Sequence, residues 1–191
     1  MANQGFYYVR HGETEWNSNS LCQGGQDIKL SCKGRDDAAK LRFFFQNKKI
    51  RKIFSSPLQR ARETANIIAN HSLEVKILDG LKERIFGLFE GWPNNLMYAV
   101  EEMEKSRSFD SEYFYESFKI ESVKIIMSRV EAALLEIKKN LDNPLLIVSH
   151  GRIFNFICEH LQVTGIKQIK HNQIIYFYIK KGSWAYEIHE I

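Results

Sequence analysis

The apolar positions of this chain fall into short runs separated by stretches of helical spacing. Phe6 to Val9 is an apolar run that reads as a first strand, and it stops abruptly at Arg10-His11-Gly12. A long polar loop, Gly12 to Leu30, contains Gln23-Gly24-Gly25-Gln26-Asp27. Ser31 is placed to cap a helix whose apolar face is Ala38, Leu41, Phe44 and Phe45. Asn47-Lys48-Lys49 ends that helix, and Ile50 to Phe54 predicts a second strand. Ser55-Ser56-Pro57 then opens a helix with Pro57 in its first turn, where a missing N–H costs nothing. The apolar stripe of this helix, Leu58, Ala61, Ala65 and Ile68, leaves Arg60 and Arg62 off the buried face.

Leu73, Val75 and Ile77 alternate with Glu74 and Lys76, the period of a short strand. Leu81 to Trp92 reads as a loop whose glycines permit tight turns. A helix is predicted from Pro93 to about Arg107 on Leu96, Met97, Val100 and Met103, whereas Ser108 to Tyr115 is aromatic and acidic without a period and is expected to be irregular. The longest helix carries Val123, Ile126, Met127, Val130, Leu134, Ile137 and Leu141 on one stripe, stopped by Asp142-Asn143-Pro144. Leu145 to Val148 is a continuous apolar run, as expected of a strand buried on both faces, and it leads into Ser149-His150-Gly151-Arg152 and a helix from Ile153 to Leu161. Gln173 to Ile179 and Trp184 to His189 flank Lys180-Lys181-Gly182-Ser183 as a terminal hairpin. Strands alternating with helices predict an α/β sheet covered on both faces.

Composition narrows the class. With 191 residues and neither repeats nor Pro/Gly/Ser linkers, residues 1–191 are expected to form one domain, and 44% hydrophobic with 26% charged residues describes an ordinary globule. A net charge of +4 is too mild to argue for nucleic acid or a membrane surface. No apolar run is long enough to span a bilayer, and Met1 to Gly5 lacks the layout of a secretory signal, so the cytoplasm is the expected compartment. Cys22, Cys32 and Cys158 are odd in number and lack CxxC spacing, which disfavours disulfides and zinc.

Two apolar strands, one near each end of the chain, both terminate in His-Gly. As parallel members of one sheet they would bring His11 and His150 to one edge, where open α/β sheets keep their ligand crevices. Ser55-Ser56-Pro57-Leu58-Gln59-Arg60 also follows a strand and starts a helix, adding an arginine and a helix N-terminus, both favourable to an anion.

Taken together, Arg10-His11-Gly12-Glu13-Thr14, Ser55-Ser56-Pro57-Leu58-Gln59-Arg60-Ala61 and Ser149-His150-Gly151 resemble the histidine phosphatase superfamily, which includes cofactor-dependent phosphoglycerate mutases and fructose-2,6-bisphosphatase. Gln23-Gly24 with Leu30, Leu81 to Gly91 with Glu83, and Glu121-Ser122 ahead of Arg129-Val130 match in order and approximate spacing. The resemblance implies a phosphoglycerate mutase-like fold: a mostly parallel central sheet with a short helical lid insertion over residues 92–121 and the terminal hairpin.

It also implies roles. His11 would be the nucleophile that becomes a phosphohistidine, and His150 would contact the phosphoryl group from the opposite strand. Arg10 and Arg60 would grip that group and keep His11 neutral. Glu83 matches the proton donor, with Glu90 a competitor in the same segment. Asn17, Gln23, Gly24 and Gly151 match positions around the phosphate or substrate end of the pocket. The implied enzyme is a hydrolase of phosphomonoesters that needs no metal and no cofactor, taking a small phosphorylated substrate, with no nucleic acid and no membrane partner; a homodimer stays open.

Duller readings compete at each position. Either histidine alone reads as a core residue, Arg60 as a surface helix arginine, and Asn17 and Gln23 as loop formers. Glu13 and Glu15 read as scaffold; His71, His160, His171 and His189 carry no motif and read as surface or structural. A phosphoglycerate mutase is the second enzyme reading, but Trp92 to Glu121 lacks the adjacent arginines mutases carry there and is rich in Glu, Phe and Tyr. Aromatic residues Phe109, Tyr113, Phe114, Tyr115 and Phe118 read either as a contact for a ring-bearing substrate or as lid packing. Ile120 and Phe89 depart from the family pattern, as does Arg152, which either binds a second anionic group or faces solvent. A phosphate-sensing or protein-binding module without turnover is the reading from another class, and the complete set of motif-matched polar residues speaks against it.

Overall fold

A computed structural model describes residues 5–106, 111–141, 144–171 and 173–191. Six strands form one sheet: β1 (Gly5–Arg10), β2 (Lys52–Ser55), β3 (Val75–Ile77), β4 (Leu145–Ser149), β5 (Gln173–Lys180) and β6 (Ser183–Glu190), in spatial order β3-β2-β4-β1-β5-β6. The first four are mutually parallel, and β5 and β6 run antiparallel as the expected hairpin. The helices are α1 (Glu15–Ser18), α2 (Cys32–Gln46), α3 (Gln59–Ala69), α4 (Asn94–Ser106), α5 (Ser111–Phe118), α6 (Val123–Lys138) and α7 (Gly151–His160). None of the helices described is long and apolar enough to cross a membrane.

Side-chain alternation divides the core between the two faces of the sheet. Phe6, Tyr8, Phe54, Leu145, Ile147, Ile175 and Phe177 pack with α6 and α7 residues such as Ile126, Val130, Ile137, Phe154 and Ile157. Val9, Ile53, Leu146, Val148 and Ile174 point the other way, onto Leu41 and Phe45 of α2 and Ala61, Ala65 and Ile68 of α3. All five residues of β4 are buried, which explains its unbroken apolar run.

Register then fixes the functional edge. Arg10 lies opposite Ser149, and Ser55 opposite Val148, so β1, β2 and β4 end level with one another. The residues that follow, His11, Ser56 and His150, emerge together at the carboxyl edge.

The insertion between β3 and β4 has its own small core of Phe86, Met97, Val100 and Ile120 together with Cys22, against which Phe89, Phe114 and Tyr115 pack. Residues 111–115, expected to be irregular, belong to helix α5. Phe114 and Phe118 are four residues apart and their rings meet at 4.7 Å, while Phe118 stacks on Phe89 at 5.3 Å. Neighbouring aromatics hid the helical period, and tertiary packing on the Phe86–Phe89 turn supplies what the pattern lacked. These two rings therefore serve the insertion's own packing. Two further corrections concern α3: it begins at Gln59 with Leu58 as its N-cap, so Pro57 precedes the helix, and Arg60 is fully buried rather than off the buried face. Phe109, Arg107 and the stop at Asp142-Asn143 lie outside the described residues, as does Ser108.

Candidate active site

His11 follows β1 and is 2% exposed. Its Nδ1 lies 2.7 Å from the carbonyl oxygen of Gly12. A carbonyl only accepts, so Nδ1 carries the ring proton and Nε2 keeps its lone pair. Toward that lone pair the Nε of Arg60 donates across 3.3 Å. Burial holds the His11 pKa well below the usual imidazole value, and the nearby Arg60, His150, Arg10 and His171 push it further down. The arginines, expected from the sequence to keep this ring neutral, contribute less than burial does.

Arg60 heads the fully buried side chains in volume. Taking a guanidinium out of water is costly unless its N–H groups find acceptors. Here Nη1 donates to the carbonyl of Gln26 at 2.7 Å and Nη2 to that of Gly24 at 2.9 Å. Burial lowers its pKa to about 10, which still leaves it charged at neutral pH. The loop that supplies these carbonyls is pinned by Glu90, which accepts from the backbone of Gly25 at 2.7 Å, from Gln26 Nε2 at 2.8 Å and from the backbone of Phe86 at 3.0 Å. Gly24 takes a positive φ of 49°, and a Cβ there would collide with the Glu90 carboxylate. Glu90 thus builds the loop, and its three donors leave Glu83 the carboxylate that faces the cavity.

His150 follows β4 at the N-cap of α7, its ring 5.1 Å from that of His11. Tyr8 from β1 brackets its backbone: the phenol donates to the His150 carbonyl at 2.8 Å and accepts from its N–H at 3.2 Å. Ser56 Oγ lies 2.7 Å from His150 Nε2 and accepts from the backbone of Leu58 at 3.3 Å. A hydroxyl both donates and accepts, so this contact is compatible with either tautomer of His150. The other ring nitrogen, Nδ1, and the Nε of Arg10, which is a donor, are buried with no protein partner among the described residues. Unpaired buried polar atoms in a native site call for a ligand or water, and the guanidinium of Arg10 suits an anion.

A cavity of about 90 Å³ opens above His11, lined by Arg10, Arg60, Glu83, Asn17, Gln23, Gly24 and Gly151 among others. His150 is not among its lining residues; its ring stands beside that of His11. Asn17 closes a capping box on Thr14, whose hydroxyl lies 3.0 Å from Asn17 Oδ1 and 2.9 Å from Gln23 Oε1. With these oxygens engaged, the amide nitrogens of Asn17 and Gln23, both donors, are left to the cavity. Glu13 is scaffold as expected, bound to Lys33 at 2.6 Å.

Three contributions went unseen in the sequence. His171, read as surface or structural, lies edge-on to His11 with ring centroids 5.4 Å apart, and its Nδ1 donates to the His11 carbonyl at 2.8 Å. Burial, aided by Arg10, lowers its pKa to about 4. Ser56 and Tyr8, the second and third, orient His150; Ser56 stands inside a quoted motif, whereas neither His171 nor Tyr8 carried any signal.

The chain matches the model of the histidine phosphatase superfamily (branch 1) over residues 6–183. It belongs to that superfamily. Among its relatives, the uncharacterized phosphatase PhoE of Bacillus subtilis is 34% identical over 75% of this chain and 69% of its own length. The broad-specificity phosphatase YOR283W of Saccharomyces cerevisiae is 28% identical over 82% of this chain and 69% of its own. Of solved structures, that of a putative alpha-ribazole-5'-P phosphatase from Escherichia coli superposes with a TM-score of 0.79, covering 98% of this chain and 97% of that one at 20% identity, which shows the shared fold.

Proposed function

We propose that this histidine phosphatase hydrolyses monoesters of small phosphorylated metabolites through a phosphohistidine on His11, without a metal ion. The observation that carries the reading is the His11 ring itself: Nδ1 is tied to a carbonyl, Nε2 is unprotonated, and burial together with the surrounding guanidinium groups keeps it so. The Nε2 lone pair attacks phosphorus while the bond from phosphorus to the ester oxygen breaks. Arg10 and Arg60 hold the non-bridging oxygens, and His150, beside the His11 ring with Nδ1 unpartnered, takes the tautomer that donates from Nδ1 to one of them. Glu83 gives its proton to the departing alcohol. As a carboxylate it then takes a proton from the water that attacks the phosphohistidine, and phosphate leaves with His11 restored. Charge that a metal would neutralise elsewhere falls here to the two arginines.

Relatives named as phosphatases and relatives named as phosphoglycerate mutases both match this chain, so names do not separate hydrolysis from isomerisation. The absence of adjacent arginines across residues 92–121 favours hydrolysis. The test is an aryl phosphate assay in EDTA combined with mass spectrometry at alkaline pH, which preserves phosphohistidine. Wild-type protein should turn over and carry phosphate on His11, and His11→Ala should lose on the order of 10³-fold or more. Full activity in His11→Ala, activity only with added divalent metal, or isomerisation of 3-phosphoglycerate outpacing its hydrolysis would each overturn the reading.

A further inference from the structure

Arg152 has no task in the chemistry above, yet its position is specific. Its backbone N–H donates to Glu83 Oε2 at 3.3 Å, which places it beside the carboxyl that serves the departing alcohol. Its guanidinium lies 5.3 Å above the ring of Tyr98 on α4. Its charge is near enough to Arg10 to lower the pKa of that residue.

The cavity above His11, at about 90 Å³, falls well below the roughly 300–1,000 Å³ of a typical small-molecule site. A phosphoryl group and its bridging oxygen are the natural contents of so small a space. The rest of the substrate must go elsewhere. Tyr98, Arg152 and Gln168 line this cavity and also a second groove of about 560 Å³, so the two adjoin at these residues. Because Glu83 marks the leaving-group side and Arg152 stands next to it at this seam, the alcohol portion runs past Arg152 into the groove. Among the described residues lining that groove, Arg84, Arg152 and Lys167 stand against Glu102 and Glu159.

We infer that the alcohol portion of the natural substrate carries a second anionic group, a carboxylate or a second phosphate, which Arg152 receives at the seam with Lys167 further along. Tyr98 packs against the guanidinium and limits its rotamers. The inference rests on the hydrolase reading and adds its substrate class.

The probes are a series of ω-carboxyalkyl phosphates of increasing chain length and the primary amide of each. Each pair shares its length and leaving alcohol and differs in one negative charge. At the length that spans the seam, wild-type protein should prefer the carboxylate by about 10- to 100-fold in kcat/KM, mainly through KM. Arg152→Gln should bring that ratio close to one, while Arg152→Lys keeps part of it. A ratio taken within one preparation is independent of the folded fraction, and the wild-type ratio alone decides should the variant fail to fold. No preference at any length, or a preference that survives Arg152→Gln, overturns the inference and leaves the hydrolase reading intact. If neither member of any pair releases phosphate while the aryl phosphate is also inert, both readings fail together.

Discussion

At the scale of single residues, the site works by denying charge to imidazole and granting it to guanidinium. His11 and His150 are both fully enclosed and held neutral, whereas Arg60, equally enclosed, stays charged because three acceptors surround it. Glu83 is the residue whose role is most open to direct measurement. Its Oε1 accepts from the backbone of Arg84 at 3.0 Å and its Oε2 from that of Arg152, so the carboxyl is fixed in place before any substrate arrives. Glu83→Gln keeps one of those two acceptors, replaces the other with an NH2 donor, and removes the proton proposed for transfer. Across a series of aryl and alkyl phosphates it should cost alkyl esters about 10²- to 10⁴-fold in kcat and esters of acidic phenols far less. A uniform loss across the series would move the acid role to another group.

At the scale of elements, precision at Glu83 depends on a brace that touches no substrate. Arg129, on α6, donates to the carbonyls of Gly80 at 2.9 Å, Lys82 at 2.6 Å and Glu83 at 3.3 Å, and pairs with Glu121 at 2.6 Å and 2.8 Å. Glu121 in turn accepts from the backbone of Ile85 at 3.2 Å. One side chain thus fastens the segment leading to Glu83 onto the long helix. Arg129→Met keeps volume but strands Glu121, and stability should fall by about 3 kcal/mol in urea denaturation. Activity should fall too, by up to about 10²-fold in kcat, since displacement of Glu83 by an ångström misaligns the proton. Inorganic phosphate should inhibit the variant as it does wild type, because His11, Arg10 and Arg60 sit on other elements. A matching loss of phosphate affinity would mean that the brace supports the whole edge and not the acid alone.

At the scale of the molecule, gathering three imidazoles at one sheet edge links folding to pH. Burial lowers the pKa of His11, His150 and His171 in the folded state. Below about pH 6.5 the unfolded chain binds protons on these rings and the folded chain does not. Their contribution to stability is therefore complete above that pH and is lost as pH falls, by up to ~1.4 kcal/mol per pH unit for each ring, with His171 levelling off near its folded value of about 4. Thermal scans should show Tm dropping steeply between pH 6.5 and pH 4.5, and His171→Asn should flatten the drop by about one third. A Tm that holds level across this range would show that the rings are charged in the folded protein.

Much of this was legible along the chain, because strands, helix stripes and the ends of β1, β2 and β4 are local consequences of hydrophobic period and turn chemistry. His11, Arg60 and His150 could be named since each stands directly after a strand or at the first turn of a helix, where local pattern and position in the fold coincide. Helix α5 was not legible, since its period is masked by adjacent aromatics and is rescued by Phe89 from another segment. The burial of Arg60 was not legible either: its acceptors, at Gly24 and Gln26, come from a loop far along the chain. His171 is the clearest case. Its neighbours in sequence say nothing, and only the antiparallel pairing of β5 against β1 brings its ring to His11. Local sequence determined which elements form and where they stop; tertiary structure decided which polar atoms lose water together, and proton affinities at this edge follow from that shared desolvation.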